Sequence, residues 1–317
     1  MKYAAKRIAM LLLTMVIVSF LAFAAFDIIA GDPATNMLGT EATPEQILAL
    51  QQSMGLDRPF LVRYFSWLGG FFTGDLGVSY SYRLPVQELI APKVGVTLAL
   101  SGLSFLLIVA ISIPMGVLTN RRSGGVSDGV WSTVIQLMMS VPPFFTGVLL
   151  TWVFSILLHW FQHGRFPGLG NDFWGSLVYL IYPAVAIAIP RIASTVRMLR
   201  STIRGELEKD YVRTAISRGN DRGAVLRRHV LKNSLVPVVT FLAQTLAEIV
   251  AASVLVEQVF AIPGLGRLMV ASIGNRDFPV VQAIVVILAF WVVLAGTVAD
   301  LINQRIDPRL RLGGNRS

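Results

Sequence analysis

Few side chains in this sequence could do chemistry, and the most informative of them lie inside long apolar runs. Glu248 and Arg191 are the two whose placement points to function. A charge within a hydrocarbon-length segment faces a partner, a cavity or a pathway rather than lipid. Both are therefore candidates to line a translocation path, and bonding to a neighbouring helix is the alternative for Glu248. Asp27 and Asp300 fall near run ends and read as interfacial. His159 and His163 are four apart, a helical spacing that could hold a metal ion, but no third ligand accompanies them, and they read as interfacial too. With no cysteine and no HExxH pattern, disulfides, thiol chemistry and a dedicated zinc site are not expected. No GxxxxGK segment followed by Ser or Thr occurs, so the chain offers no phosphate cradle of that kind. No cofactor is expected in this chain, and no catalytic residue.

Six apolar runs position these residues, at 8–29, 94–118, 130–161, 176–199, 234–255 and 280–302. A crossing of the hydrocarbon core takes roughly 20 apolar residues. Backbone polar groups in lipid must be satisfied internally, so each run is predicted to be a helix. The composition agrees: 54% hydrophobic and 14% charged, where soluble domains carry about 25% charged residues. The first run is longer than the apolar stretch of a cleaved signal, about 7–15 residues, which favours a retained span. Pro142-Pro143 in the third run and Pro183 and Pro190 in the fourth predict kinks. The fold class is an all-α integral membrane protein of about six transmembrane helices, with a helical external segment and a cytoplasmic coupling helix.

The net charge of +9 is informative through its placement. Nineteen of the 27 Lys and Arg fall at the N-terminus, around 121–122, between 197 and 232 and in the tail. With the N-terminus inside, all of these lie on one side, which predicts that both termini are cytoplasmic. The same placement argues against nucleic acid as a partner. The chain thus divides into a first span (1–30), an external helical segment (31–93), a five-helix core (94–302) holding an internal loop (198–233), and a cytoplasmic tail (303–317).

Both soluble segments carry helix signals. Thr43-Pro44-Glu45-Gln46 has the form of a capping box with proline at the first helical position, and Gly55 is a stop. Residues 59–72 place Phe60, Leu61, Tyr64, Phe65, Leu68, Phe71 and Phe72 at helical spacing, so that helix is expected against the bundle or in the interface. Inside, Glu206 through Ala215 is predicted to be a helix, and Arg218-Gly219-Asn220-Asp221 a turn. A second helix then leads to Pro237. Two helices at an angle make a knob that a soluble partner could grip.

Tyr211-Val212-Arg213-Thr214-Ala215-Ile216-Ser217-Arg218-Gly219, followed by Arg227-Arg228-His229-Val230-Leu231-Lys232, resembles the cytoplasmic coupling loop of bacterial ABC importer permeases. It is most similar to the first permease of the dipeptide, oligopeptide and nickel group. That loop is generally Glu-Ala-Ala, three residues, Gly, nine residues, Ile-x-Leu-Pro. Here Arg213-Thr214-Ala215 stands for the triplet, Gly219 for the glycine, and His229 and Lys232 replace Ile and Pro. Gly55-Leu56-Asp57-Arg58-Pro59 with Gly74-Asp75-Leu76-Gly77, and Phe260-Ala261-Ile262-Pro263-Gly264 with Arg276-Asp277-Phe278-Pro279, resemble the group's first and last outer loops. The resemblance implies an ATP-driven importer in the bacterial inner membrane, of which this chain is half the path. It further implies a heterodimer with a second homologous permease, two cytoplasmic ATPase subunits carrying ATP and Mg, and an extracytoplasmic solute-binding protein. Glu206, Asp210, Tyr211, Arg213, Thr214, Ala215, Arg218, Gly219 and Arg222 would couple the chain to the ATPases. The solute would be a di- or oligopeptide, with nickel complexes, glutathione or opine-like solutes as alternatives. An ion-coupled secondary transporter is the first rival, but no internal repeat is seen and the basic knob has no role there. A membrane-embedded enzyme is the second, and it would need a nucleophile or metal set that the sequence does not offer.

Overall fold

The computed structural model describes residues 2–30, 33–38, 42–121 and 126–306; the side chains of residues 2–7, 29–30, 33, 36–37, 121, 222, 299–300 and 302–306 lie outside that description. The Asp300 side chain and the end of the assigned tail, residues 307–317, therefore lie outside the described residues. The described residues are almost wholly helical: α1 (Lys2–Ala30), α2 (Pro33–Leu38), α3 (Pro44–Ser53), α4 (Phe60–Thr73), α5 (Val86–Arg121), α6 (Val126–Ser140), α7 (Pro143–Leu150, prolonged by a π-turn segment to Leu157), α8 (Phe173–Leu207), α9 (Asp210–Ser217), α10 (Arg222–Val225, prolonged to Val230), α11 (Leu231–Val259), α12 (Leu265–Gly274) and α13 (Phe278–Ile306).

Among the described residues, five helices are long and apolar enough to cross a membrane. The sixth predicted span, 130–161, is not a single rod. α6 and α7 meet at Pro142-Pro143 with a bend of 94°, and the helix ends at Leu157. Two consecutive prolines remove two amide donors, and Pro142 takes an extended ψ of 144° before α7 restarts. By contrast, α8 carries Pro183 and Pro190 and stays one helix from Phe173 to Leu207.

Packing divides the chain into two compact units: residues 1–96 with 263–293, and residues 97–262 with 294–317. These units follow packing, whereas the segments read from hydropathy follow membrane crossings. In the first unit, Val86 and Ile90 of α5 meet Leu265 and Leu268 of α12 and Val280, Ala283 and Ile284 of α13. α4 packs on α1 through Tyr64, which is 2% exposed and lies edge-on to Phe20 and near Phe23. Its hydroxyl is 3.0 Å from Ser19 Oγ. The inward stripe of α4 is Phe60, Tyr64 and Trp67; Leu61, Phe65 and Phe72, expected on the same face, point outward. Asp27 is held by Arg63 through two bonds of 2.6 and 3.0 Å, which anchors the C-terminal end of α1. The Thr43 capping box is formed, with Gln46 N donating to Thr43 Oγ1 and Thr43 N to Gln46 Oε1. Gly55 takes φ +66° where α3 stops.

In the second unit, α8 is the buried axis, against which α6, α7 and α11 pack. Gly116 of α5 gives room for Leu199 of α8: a Cβ there would sit 2.6 Å from Leu199 Cδ2. Such close approach of small residues is how membrane helices gain packing energy when lipid removes the hydrophobic drive. At one end, the Tyr179 hydroxyl donates to the Phe260 carbonyl at 2.9 Å, and Phe161 stacks on Tyr182 with centroids 4.3 Å apart.

Candidate functional site

The residues expected to form one helix from Glu206 to Ala215 belong to two. α8 ends at Leu207, and Lys209 is extended (φ −72°, ψ 149°) before α9 begins at Asp210. Glu206 accepts bonds from Lys209 Nζ and, at 2.8 Å, from the Tyr211 hydroxyl. On a straight helix, residues five apart lie roughly 140° apart around the axis, so that bond requires the break. Asn233 Nδ2 donates to the same hydroxyl at 3.2 Å, which ties α11 to the corner. Desolvation and the Glu206 carboxylate push the Tyr211 phenol up against the Asn233 donor, so it remains a hydrogen-bond donor at neutral pH.

α9 is held by one buried side chain, Val212 at 1% exposed. Its other faces are open. Asp210, Arg213, Thr214, Arg218 and Gly219 are exposed, and Ala215 is partly so. Arg213 and Asp210 lie 3.9 Å apart with side chains 76% and 100% exposed, a separation and exposure at which an ion pair is worth little. The guanidinium is therefore available to a partner. Ile216, 39% exposed, adds an apolar contact to the same knob.

Gly219 ends the helix in the left-handed region at φ +82°. Its N–H donates to Ile216 O at 2.9 Å, and Asn220 Nδ2 donates to Ala215 O at 3.0 Å. Nothing lies within 4 Å of where a Cβ would stand. The requirement for glycine is thus conformational rather than steric. Asp221 then caps α10, accepting from the Gly223 and Ala224 amides at 2.9 and 3.2 Å. The Arg222 side chain, assigned to the same surface, lies outside the described residues.

Two arginines that the sequence counts with this basic segment are already committed. Arg200 and Arg204 both bind Asp128 near the start of α6, Arg204 with both Asp128 oxygens at 2.8 Å from Nη2. Arg200 is 6% exposed. This three-residue pairing spans 72 and 76 positions, and no local spacing signals it.

Arg191 of α8 and Glu248 of α11 are ion-paired. His159 takes φ +56° beyond the end of the α7 helix, so the helical spacing with His163 is not realised. No group of three His, Cys, Asp or Glu that could hold a metal occurs among the described residues. One acidic residue passed unnoticed. Glu257 is fully buried in α11 and accepts from Thr97 Oγ1 at 2.7 Å. It falls just past the apolar run that ends at 255, so hydropathy alone does not place it inside the bundle.

A bundle of apolar spans with a polar, exposed helical corner between two of them is the architecture of a multi-pass transport subunit. Residues 112–312 match the family described as the inner membrane component of binding-protein-dependent transport systems, and residues 1–101 match the N-terminal component of the same systems. The chain belongs to this family. It is a permease subunit of the inner membrane. Among its relatives are a putative peptide transport system permease protein of Brucella abortus, 36% identical over 96% of this chain and 98% of its own length. The oligopeptide transport system permease protein AppB of Bacillus subtilis is 35% identical over 97% and 98%. The dipeptide transport system permease protein DppB of Lactococcus lactis is 33% identical over 98% and 99%. Among solved structures, an inward-facing form of the MetNI methionine ABC transporter has a chain that overlays with a TM-score of 0.54 at 21% identity, covering 69% of this chain and 96% of its own.

Proposed function

We propose that this chain forms half of the path by which di- or oligopeptides enter the cell, delivered by an extracytoplasmic binding protein and driven by ATP hydrolysed on partner subunits. A second, homologous permease supplies the other half of the path. Two ATPases dock from the cytoplasm, and both termini lie on that side. The relatives named above carry the peptide reading, since they are peptide, dipeptide and oligopeptide transport permeases by name. The observation that carries the coupling reading is α9 itself. It is an eight-residue helix fastened to the spans by Val212 and the Tyr211–Glu206–Asn233 bonds, and it presents Arg213 and Arg218 to solvent. A rigid corner with a free basic face transmits a partner's movement to α8 and α11. Its charges set docking register more than affinity.

The test is functional. Gly219→Pro replaces a φ of +82° by one fixed near −65° and disrupts the turn. Arg213→Glu reverses the exposed charge. In an otherwise intact complex, each is expected to leave ATP hydrolysis running while peptide uptake falls. Normal uptake by both variants contradicts the assignment.

A further inference from the structure

Arg191 and Glu248 lie in the middle third of α8 and α11, two helices long and apolar enough to cross a membrane, and charge within such a span is costly in lipid. Yet the pair is not sealed inside the unit: the side chains are 28% and 48% exposed. A charged pair within such spans with that much open surface faces protein or water, since hydrocarbon would penalise it. The exposure therefore marks a face of the path or of the permease contact.

The pair also has spare bonding capacity. A guanidinium carries five N–H donors in a planar fork. In Arg191 one nitrogen binds Glu248 Oε2, while Nε is buried without a partner. Against Arg191 lies a cavity of about 250 Å³, whose walls include Ser140, Pro142, Pro143, Pro190 and Ser194. The sequence builds it: the 94° break at Pro142-Pro143 turns α7 away from the line of α6 and leaves room beside α8. The cavity wall holds two hydroxyl residues and no acidic one. The Ser140 and Ser194 hydroxyls donate to the Gln136 and Arg191 carbonyls, so the donor open to an entering carboxylate is the Arg191 guanidinium, once Glu248 turns from it to the ammonium.

We propose that Arg191 and Glu248 form a site that reads the two charged ends of the solute, Arg191 taking the peptide carboxylate and Glu248 the ammonium. This rests on the peptide reading above. Guanidinium and carboxylate pair through parallel bonds, and this gives direction as well as attraction. In the resting pair each group neutralises the other. When a zwitterion enters, one internal ion pair is exchanged for two with the solute, so no uncompensated charge stands in the membrane at any stage. Both partners of the solute are recovered as the Arg191–Glu248 pair when it leaves. That recovery keeps binding weak enough for release, which a path requires. The site would favour free-ended peptides over neutral solutes or bare cations.

The experiment uses the full complex of both permeases, the ATPases and the binding protein, reconstituted in liposomes. Ser194→p-benzoylphenylalanine places a photoreactive group on the cavity wall, and a radiolabelled free-ended dipeptide is the probe. During ATP turnover the account predicts a labelled adduct at position 194, reduced about 10-fold or more by Glu248→Gln or Arg191→Gln, with uptake falling in parallel. Dipeptide uptake by the complex with an adduct only to the second permease or to lipid overturns the site and leaves the peptide reading standing. Absence of dipeptide uptake by the unsubstituted complex overturns the peptide reading and the site together. An adduct that neither Gln substitution reduces places the cavity on the path but removes the ion pair from recognition, and so overturns the proposal as well.

Discussion

Asp277 should be the residue on which the 79–82 loop of the first unit depends most. Its side chain is fully buried. It accepts from Ser79 Oγ and, at 2.9 Å, from the Tyr80 amide, with the Ser81 amide at 3.4 Å. Ser79 Oγ in turn accepts from the Tyr82 amide at 3.0 Å, so one carboxylate fixes four consecutive residues. Hydrogen bonds to a charged acceptor contribute about 1.5–3 kcal/mol each, and a buried donor left unsatisfied costs about 1–3 kcal/mol. Asp277→Ala removes the acceptor of two well-formed bonds and is expected to cost about 3–5 kcal/mol. Asp277→Asn keeps one acceptor oxygen and should cost roughly half of that. Amide hydrogen exchange in detergent reads the effect locally. The Tyr80 and Tyr82 amides should exchange at least ~100-fold faster in the Ala variant, since 1.4 kcal/mol is a factor of ten. Wild-type exchange rates at these amides in Asp277→Ala would refute the account of the loop.

Gly116→Ala should destabilise the second unit by about 1–3 kcal/mol through overpacking, because the added Cβ meets Leu199 Cδ2 at 2.6 Å. Combining it with Leu199→Ala should recover part of that loss, and thermal unfolding of the two singles and the double measures the coupling. Tyr80 should titrate late, since burial first and the Asp277 carboxylate second push its phenol from 10.0 up to about 12. Its folded pKa is raised, so the associated stability is complete below pH 10 and is lost between about pH 10 and 12. The difference in phenolate absorbance between wild type and Tyr80→Phe should rise near pH 12, and a rise at pH 10 contradicts the burial argument.

What the sequence made legible was local. The apolar runs, the Thr43 capping box and the Gly55 and Gly219 stops each follow from a few neighbouring residues whose propensities agree. What it hid depends on long-range contacts or on competition between two local signals. The run 130–161 is apolar throughout, and hydropathy cannot tell a kinked span from two helices at 94°; the double proline decides it. The corner at Lys209 exists because Glu206 finds Tyr211 and Asn233, and Asn233 is 22 residues beyond Tyr211. The Asp128 pairing with Arg200 and Arg204, and the Thr97–Glu257 bond across 160 positions, leave no periodic trace at all. On α4, aromatic spacing signalled a helix, but the inward stripe was decided by where α1 offered Phe20 and Phe23.

In the proposed importer, α9 and the Gly219 turn touch an ATPase inside the cell. The chain has no cysteine, so Arg213→Cys introduces its sole thiol, on a side chain 76% exposed. In the assembled complex, a short thiol crosslinker between this position and single cysteines on the ATPase surface should give a permease–ATPase adduct. In intact cells, the same thiol should resist a membrane-impermeant reagent added outside. A thiol that reacts readily from outside, or one that never joins an ATPase while the complex remains assembled, contradicts the account.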